Sequence, residues 1–186
     1  HSWGGLTRWT ELTSPTPGSL NSPVFRRPVV INEIHYHPSN GENTGGFIEL
    51  FNNGASAVDL SGWAINDGVN FVVADGTTLA GGAFLVIAKN RAELLALNPG
   101  LDPNQVIGDY SGSLSNSSAR IELRNSLAVV VDEVTYFDGG RWADAPDGGG
   151  TSLQLIDPDS ENSLAPNWTA GDESASAQTI TLEHTG

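Results

Sequence analysis

Three short segments decide the fold: Ile31-Asn-Glu-Ile-His-Tyr-His-Pro38, Phe47-Ile-Glu-Leu-Phe-Asn52 and Asp59-Leu-Ser-Gly-Trp-Ala-Ile-Asn-Asp67. Each is an apolar run carrying one or two polar positions, bounded by Pro, Gly, Asn or Asp. Such runs read as strands of an all-β domain. Working outward, the strands predicted are Val29–His37, Gly46–Asn52, Trp63–Asn66, Phe71–Val73, Ala83–Ile87, Ala119–Arg124, Val129–Tyr136 and Ser152–Ile156. Alternation is cleanest in Ala119–Arg124, where Ala119, Ile121 and Leu123 are expected to face the core and Arg120, Glu122 and Arg124 to face water. The 22 glycines, with Pro, Ser, Thr and Asn, punctuate the chain at short intervals, and long helical periodicity is missing. One helix is predicted. Asn90 is its N-cap, Arg91–Leu97 supplies good helix formers, and Asn98-Pro99-Gly100 ends it. It is expected to close a connection between two strands rather than to form a second core.

The order and spacing of the three segments resemble the lamin tail domain. The family includes the globular tail of nuclear lamins and modules of large secreted or surface-attached bacterial proteins. Further matches are Val131-Asp-Glu-Val-Thr-Tyr136, similar to the family's Val-Asp-x-Val-x-Tyr strand, then Ser152-Leu153 and Asn167-Trp168. The resemblance covers residues 29–170. It implies an immunoglobulin-like β-sandwich with Trp63 packed in the core and Gly62 making the turn before it. Two departures are the helix-bearing insert near residues 89–108 and the strong acidity, and both favour the bacterial branch.

Acidic residues outnumber basic ones 22 to 8, giving a formal net charge of −14. Such a domain repels phosphate backbones, so nucleic acid is not an expected partner. Acidity suits divalent cations and a salty exterior. There is no cysteine, which excludes a disulfide framework and a Cys-based zinc site. No apolar run approaches a membrane span. With 186 residues, beginning at His1 without an initiator or leader, the chain reads as a piece of a longer protein. Residues 1–28 read as a linker or the tail of an upstream module, and 171–186 as a linker and the start of a following segment. The expected setting is extracellular or on a bacterial cell surface. Expected partners are other domains of the same chain and a protein or glycan ligand; composition sets no oligomeric state.

Three groups of residues carry chemistry worth weighing. Glu33, His35 and His37 lie at i, i+2 and i+4, so a regular strand would project all three from one face. With Glu49 of the next strand they have the inventory of a metal-dependent hydrolase. The plainer reading is that these polar groups set strand register and turns, since no phosphate loop or nucleophile motif accompanies them. The second group is Trp142 with Asp144 and Asp147 in the Gly- and Asp-rich loop 138–150. An exposed loop tryptophan stacks on sugar rings or fills a partner's pocket; otherwise it anchors its loop. The third is Asp157-Pro-Asp-Ser-Glu-Asn162, whose Asp157, Asp159 and Glu161 recur at every second residue as in the opening of a calcium loop. It lacks the glycine and the distant glutamate of an EF-hand, and a solvated Asx-rich turn accounts for it equally well. The reading that joins these observations is a non-enzymatic structural or adhesive module with no cofactor. A calcium-dependent or carbohydrate-binding module is the alternative.

Overall fold

The computed structural model describes residues 14, 17–18 and 26–171. Apart from those positions, the flanking segments expected at residues 1–28 and 171–186 lie outside the described residues. In chain order the elements are β1 Val29–His35, α1 Glu42–Gly45, β2 Phe47–Asn52, β3 Val58–Asp59, β4 Ala64–Asn66, β5 Val69–Val72, β6 Thr78–Leu79 and β7 Phe84–Ala88. Then follow α2 Arg91–Leu97, β8 Val106–Gly108, β9 Ser111–Gly112, β10 Ser118–Arg124, β11 Val130–Phe137, β12 Leu153–Leu155 and β13 Trp168–Ala170. Every predicted strand forms, with shifted ends. The five short strands β3, β6, β8, β9 and β13 carry too few residues to show a period and were not anticipated.

Two sheets form an immunoglobulin-like sandwich. One has the order β13-β12-β1-β2-β7-β8, the other β11-β10-β4-β5-β9, and β3–β6 makes a separate ribbon. The rows of the first sheet explain its core. Ile34, Ile48 and Ile87 are register partners across β1, β2 and β7, all fully buried. They belong to one cluster with Ile65, Ile121, Leu123 and Val134 of the second sheet. Each such side chain contributes roughly 1.5–3 kcal/mol by leaving water.

Turns fix how strands enter this core. Trp63 is 8% exposed and sits after Gly62, whose φ of 69° suits glycine. The Trp63 N–H donates to the Leu60 carbonyl at 2.9 Å, and Val73 N–H donates to the Trp63 carbonyl at 2.8 Å. Between β4 and β5 the chain turns about Gly68, and the positive φ that the turn needs falls on Asp67 and Gly68, residue types that tolerate it.

The helix forms at the predicted residues. Asn90 caps it by accepting from the Glu93 N–H at 3.2 Å. It lies between β7 and β8, which pair in parallel, so it is the crossover that a parallel pair needs. It does more than close a connection: Leu94 joins Val86, Ala88 and Val106 in a small buried cluster separate from the main core.

Two expectations about side-chain direction fail. Glu122 is buried at 4% exposure rather than facing water, because Arg120 and Arg124 both pair with its carboxylate. The first strand ends at His35, and its register shifts between Ile31 and Glu33. From Glu33 to His35 the register is regular, so those two keep a common face, while His37 lies past the strand end.

Candidate functional site

The β1 residues are sent to different partners. Glu33 is the register partner of Glu49 and accepts a hydrogen bond from Ser152 Oγ. Glu49 is 4% exposed and accepts from Asn32 Nδ2 at 2.9 Å. His35 holds the Gly45 carbonyl through Nδ1 at 2.9 Å and packs edge-on against Phe47. Burial lowers its imidazole below the ordinary histidine value, against the pull of the Gly45 and Gly150 carbonyls. His37, past the strand end, pairs through Nδ1 with Asp147 Oδ1 at 2.6 Å. The hydrolase set Glu33, His35, His37 and Glu49 therefore does not converge, and among the described residues no three His, Cys, Asp or Glu side chains form a metal-holding group.

The acidic turn faces inward as a clamp. Asp157 Oδ1 accepts from the Asp159 N–H at 3.0 Å, an Asx turn. Asp159 pairs with Arg26 at 2.9 Å and takes the Asn53 amide at 2.8 Å. Glu161 pairs with Arg27 at 3.1 Å. Asp157, Asp159 and Glu161 thus point to separate partners instead of a common centre, which corrects the calcium-loop geometry. Beside them Asp132 is almost fully buried, accepting from Ile31 N–H at 2.7 Å and Asn162 Nδ2 at 2.6 Å. Burial pushes its carboxyl up to about 7, opposed by the Ile31 N–H, Arg27 and Asn162.

The Gly- and Asp-rich loop forms one wall of a concave surface. Phe137 to Trp142 on one side and Ser163 to Pro166 on the other line an open groove of about 580 Å³. An aromatic series supports it: Phe137 lies 6.4 Å from Trp142, and Trp142 lies 6.2 Å from Trp168. Exposure falls along the series from 47% at Phe137 to 9% at Trp142 and 4% at Trp168. The Trp168 indole N–H donates to the Asn162 carbonyl at 2.7 Å, tying the groove to the acidic turn. Trp142 is therefore not the exposed platform expected of it; it is a loop anchor in the main core that also lines the groove.

Asp144 and Asp147 do not line the groove. Both are exposed; Asp147 is held by His37, and its N–H donates to the Asp144 carbonyl at 3.1 Å. The His37 ring also lies 3.2 Å from where a side chain on Gly148 would begin, and Gly148 has a φ of 75°. His37 is thus a latch for the loop, a role that sequence spacing concealed.

Phe137, Arg141 and Leu164 went unremarked in the sequence. Phe137 is the last residue of β11 and follows the outward positions of its alternation, beyond buried Val134 and Tyr136. Arg141 is exposed. Among the described residues it is the one lysine or arginine without a hydrogen bond or ion pair, the other six being engaged.

Sandwich, inward-turned acids and a loop-built groove define an immunoglobulin-like module. The chain belongs to the lamin tail domain family, whose model matches residues 26–138. Domains of this family are not catalytic. The matched stretch runs through β11 and ends at Asp138, so most of the groove lies beyond it. No curated protein matches the chain.

Proposed function

We infer that this chain is a structural and adhesive module of a large secreted or cell-surface bacterial protein, and that it engages its ligand along the Phe137–Trp142 groove. The observation that carries this reading is the groove itself. It combines a half-exposed aromatic ring, an exposed Leu164 and an unpaired Arg141 on a rigid aromatic base. Loops held by a packed sandwich are where binding surfaces are commonly built. Neighbouring domains of the same polypeptide and an external protein or glycan are its partners. Aromatic faces beside an arginine suit a sugar ring with hydroxyl or carboxylate groups, which keeps the carbohydrate-binding reading as the alternative. The net charge of −14 argues against nucleic acid.

The test is a glycan array and a panel of extracellular matrix proteins, probed with the native chain and with the F137A/R141A double variant. Expected is a ligand whose binding the double variant abolishes while its melting temperature stays within a degree or so of the native value. Binding that survives both substitutions, or no binding across both panels, would defeat the groove reading.

A further inference from the structure

Two carboxylates that the groove does not use stand side by side in the six-stranded sheet. Glu33 of β1 and Glu49 of β2 are register partners, so their side chains leave the same face of the sheet. Among the described residues their surroundings carry no lysine or arginine. Asn32 donates to Glu49, Ser152 donates to Glu33, and Gln154, the register partner of Glu33 on β12, hydrogen-bonds to it. Along the same row the next residues are Val86 on β7 and, beyond Gln154, Thr169 on β13. Val86 packs in the cluster that holds Leu94 of α2. Arg91 of that helix turns away to the carbonyls of Val106 and Pro103. The adjacent row holds His35 against Phe47, and Phe51 of β2 packs on Phe84. No lysine or arginine among the described residues pairs with either glutamate.

Two negative charges at adjoining positions, Glu49 buried and Glu33 partly so, are costly without a counter-charge. We propose that Glu33 and Glu49 hold one proton between them at neutral pH, and that this acid–carboxylate pair is a proton-dependent clasp joining β1, β2 and β12. While the proton is present only one of the two carboxyls is charged, and Asn32, Ser152 and Gln154 hold the pair without a cation. Its loss to solvent leaves two facing carboxylates. The repulsion then falls on β12, which Ser152 and Gln154 tie to Glu33.

The direction of titration agrees. Burial lifts both carboxyls, and the charge of Glu33 adds to the rise at Glu49, which reaches about 8. The folded chain therefore keeps a proton that the unfolded chain gives up near 4.5. Stability from this source is complete below the unfolded value and is lost as pH rises through about 8.

The test is carbon-detected NMR of the glutamate carboxyls in the full chain, titrated from about pH 4 to about pH 10 and assigned with E33Q and E49Q. Expected is one carboxyl of the pair titrating near pH 8, with amide exchange in β12 accelerating over the same range. Two carboxyls both ionised by about pH 6 would overturn the proposal. Thermal melts supply a second reading. E49Q keeps a hydrogen-bonding group but cannot ionise, so its melting temperature should lack the decline that the native chain shows toward pH 8. An equal decline in E49Q would also overturn it. If E49Q fails to fold, the titration of the native chain decides alone.

Discussion

Arg27 Nε lies 3.2 Å from Oδ1 of Asp132, a carboxylate side chain with no exposure to solvent. Through Oδ2 the same carboxylate takes the Ile31 N–H and the Asn162 amide, while Arg27 also reaches Glu161. Three distant stretches of chain meet here: the lead into β1, the middle of β11 and the acidic turn before β13. The acids that resembled a calcium loop are thus part of the domain's closure.

Removing Asp132 should be among the most damaging single changes. D132A leaves the Ile31 N–H and the Asn162 amide without their acceptor and takes from the largely buried Arg27 guanidinium one of its partners. The expected loss is about 3–5 kcal/mol, read by urea denaturation. R26A is the contrast. Arg26 is 65% exposed in its pair with Asp159, and its loss should cost less than about 1 kcal/mol.

Calcium should leave the melting temperature unchanged. Asp159 and Glu161 are engaged by Arg26, Asn53 and Arg27, so an ion would have to displace existing partners. Melts with millimolar calcium and with chelator check this; a rise of several degrees with calcium would show a site that the present arrangement does not form.

Histidine 35 should give the acid side of the stability profile. Its folded value is lowered by burial, so below the unfolded value of 6.5 the unfolded chain binds the proton more readily. Stability from the neutral imidazole is present above that value and is lost as pH falls from it. H35Q retains a donor for the Gly45 carbonyl and cannot titrate. The native-minus-H35Q difference in melting temperature should therefore shrink as pH falls below 6.5.

N90A tests the crossover helix. Its side chain accepts from the Glu93 N–H, and loss of that cap should cost about 1 kcal/mol. Because Leu94 is buried in the separate small cluster, amide exchange should rise in α2 and β8 before it rises in the main core.

Much of the scaffold was legible because its signals are local. Strand runs, the Gly62 turn before Trp63 and the Asn90 cap each depend on residues a few positions apart. The binding surface was less legible. Trp142 was singled out correctly as the large apolar group of its loop, yet its exposure depended on Phe137 and Trp168, which meet it only in the folded chain. Glu122 shows the same limit, since period-two alternation predicts exposure and two flanking arginines reverse it.

The sequence by itself determined that this chain is an all-β sandwich of the lamin tail type with one capped helix, because apolar periodicity and turn chemistry act over short spans. Only the tertiary structure decided what the polar residues do. Glu33, His35 and His37 were drawn to Ser152, the Gly45 carbonyl and Asp147, and long-range pairing turned Asp159 and Glu161 inward onto Arg26 and Arg27. Charged side chains are long and find partners across the fold, so their roles follow from which strands become neighbours rather than from spacing along the chain.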